Sequence, residues 1–109
     1  MKIYISGPVP ANGAFIKQTY MLPEAKLRLL GHSPFNPSWM NIDECWNGEE
    51  RLSIGMAVLD LCEAIFMLEG WEDSKNAQAE YDYAVKNGKK IFFAGNENDI
   101  KKLRKTEIV

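Results

Sequence analysis

Among the residues able to do chemistry, Glu80 has the most suggestive position. It lies in the run AIFMLEGWEDSKNAQAEY (64–81), which reads as a buried strand (64–68), a turn (69–73) and a helix. Glu80 falls three residues after Ala77 and four before Ala84, at the margin of that helix's apolar stripe. A carboxylate there is partly desolvated yet reachable from a crevice, which suits a nucleophile or general base; an ordinary helical glutamate is the plain alternative. Six residues earlier, Ser74 can cap the helix by accepting an N–H from Asn76 or Ala77, or can meet a phosphate at a helix end rich in N–H groups. Tyr4 alternates with Ile3 and Ile5 in the first apolar run. Its hydroxyl needs a partner, either Glu80 or another group in the core. Ser6 and Gly7 end that run, where glycine allows a ligand near the backbone or simply a tight turn. Trp71, in the turn, can stack on a planar base or pack over a sheet edge.

Other chemistries have little support. Cys45 and Cys62 form no disulfide framework and have no metal-ligand spacing, and His32 as the single histidine leaves little support for a zinc site of Cys and His. His32, after Gly31 at a helix end, reads as structural. No GxGxxG or P-loop pattern follows the first strand, so no dinucleotide or triphosphate cofactor is expected, and no metal. A net charge of −2 leaves no footprint for nucleic acid. Seven of the 13 basic residues lie between Lys86 and Lys105 and read as a solvated surface. Residues 1–5 lead straight into Gly7-Pro8 without a secretory pattern, and the longest apolar run, 54–68, is broken by Asp60 and Glu63. The expectation is a cytoplasmic protein with no membrane partner.

At 109 residues the chain makes one domain with one core. KIYIS (2–6) is the first strand, and residues 14–30 are helical, with Leu22, Ala25, Leu29 and Leu30 on one face, a kink or restart at Pro23, and Gly31 closing the helix. Residues 32–36 form a short strand that Pro34 assigns to an edge. Residues 38–48 carry Trp39 and Trp46 without periodicity and read as a loop, its tryptophans serving as lids or interface anchors. A second helix (49–62) buries Leu52, Met56, Val58 and Leu59; a third (74–87) buries Ala77, Tyr81, Ala84 and Val85. KIFFA (90–94) is the fourth strand, and 99–105 a final helix. Alternation of strand and helix predicts a three-layer α/β fold of flavodoxin-like or Rossmann-like type, with a parallel sheet of four or five strands in the order 2-1-3-4. The switch in strand order then opens a crevice beyond strands 1 and 3, which brings residues 6–10 beside 69–74.

KIYISGP, GHSPFNP and CEAIFMLEGWEDSKNAQAEYDYAVKNGKKIFF together resemble the nucleoside 2-deoxyribosyltransferase superfamily, and most of all its short branch often carried by phages and prophages. The likeness covers nearly the whole chain, and GWEDSKNAQAE is its most specific part. Enzymes of that family cleave or exchange the N-glycosidic bond of deoxynucleosides or their monophosphates. By resemblance, Glu80 is the nucleophile that forms a glycosyl-enzyme intermediate and Tyr4 orients it. Ser74 matches the serine that holds a 5′-phosphate. The resemblance also implies a homodimer that completes its pockets across the interface. Two positions depart from the family. An ungapped alignment sets Gly55 where relatives have an aspartate that assists protonation of the leaving base. Asp60, five residues on, is turned roughly 140° around the helix; Glu49 or Glu50 substitutes only if the loop is placed differently. Asn76 replaces a glycine that lets the backbone approach the ligand, and reshapes that end of the pocket.

The expected ligand is therefore a deoxynucleoside or deoxynucleotide. Glu80 and Tyr4 are the catalytic candidates, and Ser6, Gly7, Trp71, Ser74 and Asn76 the binding ones. The competing reading is a nucleotide-binding module of the same fold with impaired catalysis. A third is an interaction protein that uses the loop holding Trp39 and Trp46.

Overall fold

A computed structural model describes residues 1–8, 16–40 and 46–105. Four strands, β1 (Lys2–Ser6), β2 (Ser33–Phe35), β3 (Ala64–Met67) and β4 (Lys90–Phe93), alternate with helices α1 (Ile16–Leu29), α2 (Gly48–Leu61), α3 (Lys75–Lys86) and α4 (Glu97–Lys105). Short 3-10 turns at Pro37–Trp39 and Trp71–Asp73 precede α2 and α3. The sheet is parallel throughout, in the order β2-β1-β3-β4, as the sequence pattern predicts. Pro34 sits on the edge strand β2, opposite Ile3, where a missing donor leaves only one ladder interrupted.

The central strands are covered on both faces, so β3 is apolar and buried along its length and β1 is buried from Ile3 to Ser6. Ile3, Ile5 and Phe66 face one side and pack with Tyr20 and Leu27 of α1 and Leu103 of α4. Tyr4, Ile65 and Met67 face the other and pack with Leu59 of α2 and Ala84 of α3. Tyr4 pairs with Ile65 and Ser6 with Met67, so Tyr4 and Ser6, two residues apart, share the face under α2 and α3.

Three details of the helices differ from expectation. Helix α1 runs without a break through Pro23, and its buried face is Tyr20 and Leu27; Leu22 is 79% exposed, Leu29 86%, and Ala25 is exposed. Both stripes have helical spacing, but Tyr20 has more surface to bury and a backbone partner for its hydroxyl, and that sets the rotation of the helix. On α3, Val85 is exposed and Glu80 takes the place in the stripe between Ala77 and Ala84. On α2 the buried residues are Gly55 and Leu59, with Leu52, Met56 and Val58 half-buried. Helix α2 starts with a capping box: Asn47 Oδ1 accepts the Glu50 N–H at 2.8 Å, and Glu50 Oε1 accepts the Asn47 N–H at 2.9 Å. Lys89 closes its other end by donating to the carbonyls of Asp60 and Cys62, each at 2.8 Å. Among the described residues no helix is long and apolar enough to cross a membrane.

Candidate active site

The site begins with the alternation of β1. Because Tyr4 and Ser6 point the same way, their hydroxyls reach the same carboxylate from the floor of the sheet. Tyr4 Oη donates to Glu80 Oε2 at 2.6 Å, and Ser6 Oγ donates to Glu80 Oε1 at 2.6 Å. Both distances lie in the range of charge-assisted O–H···O⁻ bonds. Glu80 is 7% exposed, and both hydroxyl-bearing residues are buried. The expectation of a residue at the margin of the stripe thus gives way to a carboxylate inside it.

Burial raises the Glu80 pKa above the ordinary carboxylate value, and the bonds from Ser6 and Tyr4 offset part of that rise. Burial, with the Glu80 charge next in size, pushes the Tyr4 hydroxyl far up, so it stays a donor. Phe35 of β2 stacks on the Tyr4 ring, with centroids 5.9 Å apart, and Trp39 meets Phe35 edge-on at 5.6 Å. Trp39 is further held by its Nε1–H on Glu24 Oε1 at 3.0 Å, with the Arg28 guanidinium over its ring. It remains 48% exposed, and Trp46 45%.

Helix α2 covers this pair closely. A Cβ added at Gly55 would lie 2.6 Å from Tyr4 Oη and 2.7 Å from Glu80 Oε2, so the backbone of α2 rests on the hydrogen bond itself and no side chain fits. The other acidic candidates point elsewhere. Asp60 accepts the Tyr83 hydroxyl on the exposed side of α2 and α3, and Glu50 is spent in the capping box. Glu49 is exposed in the first turn of α2. Among the described residues no second carboxylate bonds to Tyr4, Ser6 or Glu80.

The remaining sequence candidates are placed as follows. Ser74 caps α3, its Oγ accepting the Ala77 N–H at 3.2 Å. Asn76 donates through Nδ2 to the Gly48 carbonyl at 3.3 Å, tying the starts of α2 and α3 together. Trp71 lies over the β4 edge of the sheet, against Tyr81 at 4.7 Å and Phe93 at 6.2 Å. A cleft of about 260 Å³ opens there, lined by Leu68, Gly70, Trp71 and Phe93 among others, and Glu80 is not in its wall. Gly7 is needed for packing: a Cβ there would come within 2.8 Å of Leu68 Cβ.

Two features escaped sequence reasoning. The first is Ser6 as a partner of Glu80; its spacing of two from Tyr4 on a strand was the available signal. The second is Tyr20, which buries its hydroxyl against the Gly7 backbone N–H. Burial and then the nearby Glu80 charge raise its pKa, and the Gly7 bond partly offsets them. On α1 Tyr20 has helical spacing with Leu27, but so does the competing stripe of Leu22, Ala25 and Leu29, so spacing alone does not select it. Away from the site, His32 is structural: Nδ1 meets the Met1 amino group at 3.1 Å and Nε2 the Leu103 carbonyl at 3.0 Å. Cys62 is a buried free thiol, and Cys45 lies outside the described residues. Among the described residues no three His, Cys, Asp or Glu side chains converge to hold a metal.

What results is a fixed, desolvated carboxylate with two hydroxyl donors and two remaining lone-pair positions, beside the carboxyl end of β1 where the strand order switches. Such a group can attack an electron-poor carbon or take a proton. A family model described as "Domain of unknown function (DUF4406)" matches residues 1–93. No curated protein matches the chain.

Proposed function

The chain belongs to the DUF4406 family, whose description names no activity, and we propose from the site that it cleaves or exchanges the N-glycosidic bond of a deoxynucleoside 5′-monophosphate. The observation that carries this reading is the pair of 2.6 Å bonds that fix both oxygens of Glu80. In the proposed step a Glu80 oxygen bonds to the anomeric carbon as the bond to the base breaks, and the electron pair leaves with the base. Water then attacks the glycosyl-enzyme and completes hydrolysis, or a second base does so and completes transfer. Tyr4 and Ser6 hold the carboxylate during attack and steady it when it leaves.

The N-terminus of α3 is the proposed seat of the 5′-phosphate, with the Ser74 O–H donating to it while Oγ keeps its cap. Ser74 lies six residues before Glu80, about 9 Å along the helix, a separation of the order that a sugar between phosphate and reacting carbon would span. With Gly55 packed on the site, protonation of the departing base falls to solvent. Loss of a general acid typically costs about 10²–10⁴-fold, so turnover is slow and favours bases that leave easily. The reading includes a cytoplasmic homodimer, and the exposed apolar residues Met21, Leu22 and Leu29 on α1 support self-association. Light scattering that gives a monomer at all concentrations counts against the dimer.

The test is to incubate the protein with each deoxynucleoside monophosphate and follow free base by chromatography. Base release that Glu80→Gln abolishes is the expected result; release at the wild-type rate by that variant ends the proposal. A second reading, a nucleotide-binding module without turnover, is favoured by the tight cover of Gly55 over Glu80. It predicts thermal stabilisation by nucleotide that survives Glu80→Gln, with no base released.

A further inference from the structure

The opposite face of the sheet carries a second feature, independent of the Glu80 site. Among described side chains, α1 and α4 hold five basic and three acidic residues, whereas α2 and α3 hold three basic and five acidic. The two outer layers therefore differ in sign although the chain as a whole is nearly neutral. On the basic side a groove of about 360 Å³ runs between α1 and α4. Its floor is Ala94, Gly95 and Ile100, and its rim carries Lys26, Lys101 and Arg104 with one acidic residue, Glu97. Lys101 and Arg104, three apart on α4, share one helix face and meet Lys26 across the groove. Among the described residues none of these three cations is in an ion pair: the pairs are Arg28–Glu24 and Lys102–Asp99.

We propose that this groove binds a phosphate monoester with an apolar body, the phosphate held by Lys26, Lys101 and Arg104 and the body lying on Ala94 and Ile100. The reasoning is one of charge and size. Three cations against Glu97 leave a local excess that matches a phosphate dianion. The volume is that of a small-molecule site, and the floor is apolar where the rim is charged. Arginine adds a planar fork suited to phosphate oxygens, and the lysines act as point charges. A soluble ester and the headgroup of a phosphatidic acid share this chemistry.

Phenyl phosphate is the probe for the soluble source, titrated into labelled protein at pH 7.5, where its second proton is lost. Amide signals of Gly95, Ile100, Lys101 and Arg104 are expected to move along saturating curves that weaken with added salt. Phenol alone should leave them still. Lys101→Ala with Arg104→Ala should weaken binding about tenfold, since two exposed charge contacts of ordinary surface strength amount to a factor of that order. Should that variant fold poorly, Lys26→Ala serves instead. Sedimentation with phosphatidic-acid vesicles, lost in the same variants, assigns the source to lipid. Linear, non-saturating shifts with phenyl phosphate, together with no vesicle binding, overturn the proposal. So does binding that the variants leave unchanged. Glu80→Gln must leave all of these results as they are, which separates this groove from the glycosidic site.

Discussion

Substitution of Gly55 by alanine tests the packing of α2 on the carboxylate. The added methyl would sit 2.6 Å from Tyr4 Oη and 2.7 Å from Glu80 Oε2, contacts that side chains do not tolerate. Tyr4 cannot step aside, because its ring is buried and stacked on Phe35. Either α2 lifts or the Tyr4–Glu80 bond opens. Overpacking of this kind costs about 1–3 kcal/mol, and a buried hydrogen bond left open about 1–3 kcal/mol more. Alanine returns up to about 1 kcal/mol by favouring helix. The net loss is about 1–6 kcal/mol, each kcal/mol being worth roughly 4–8 °C in Tm for a domain of this size. Gly48→Ala on the same helix is the control, since nothing lies within 4 Å of its added carbon. Thermal melts of both variants at pH 7 decide the matter. If Gly55→Ala is as stable as Gly48→Ala, α2 does not rest on the pair and the explanation for the glycine is wrong.

Other predictions concern charge and support. The Glu80 pKa is raised in the folded state, so between about the unfolded value of 4.5 and the raised folded value the native form binds more proton and stability falls as pH rises. Glu80→Gln should remove that slope, matching wild type at low pH and gaining on it towards neutrality in pH-dependent melts; an unchanged slope argues against a desolvated carboxylate. Ser6→Ala and Tyr4→Phe each take away a bond that lowers this pKa, so the acidic limb of any base-release profile should move to higher pH in both, at least as far for Ser6→Ala. Asn36 is 1% exposed, accepts the Ser38 N–H and donates to Glu24. Asn36→Ala should cost about 1–3 kcal/mol in denaturant titration, through the lost cap and the detachment of α1.

How much of this was legible beforehand depended on how local the cause was. The runs KIYIS and AIFM announce strands buried on both faces, KIFF a fourth strand, and Pro34 marks β2 as an edge, so sheet order follows from pattern and the rules of crossover. Glu80 was visible as a carboxylate near an apolar stripe, but its depth was not, because burial of a charge is decided by partners that arrive from β1, more than seventy residues away. The face of α1 was misread since the sequence offers two stripes at helical spacing, and Tyr20 prevails through a contact to Gly7 that no periodicity encodes. Gly55 read as a missing acid; its close approach to Tyr4 and Glu80 is a fact of layer spacing, which spacing along the chain does not carry. Asn76 was set near the ligand by resemblance and Trp71 was read as stacking on a base or packing over the sheet edge; spacing could not show that Asn76 meets the Gly48 carbonyl and that Trp71 packs on Tyr81 and Phe93.

The most direct test of the central claim is to trap the glycosyl-enzyme. A deoxynucleoside monophosphate carrying fluorine at the sugar 2-position slows breakdown of such an intermediate by withdrawing electrons from the oxocarbenium-like transition state. After incubation, intact-mass measurement followed by fragmentation of the tryptic peptide 76–86 distinguishes Glu80 from Asp82. A mass gain of one fluorinated sugar phosphate on Glu80, absent in Glu80→Gln, is the predicted result. Release of base with no adduct, or an adduct on another carboxylate, contradicts a Glu80 nucleophile.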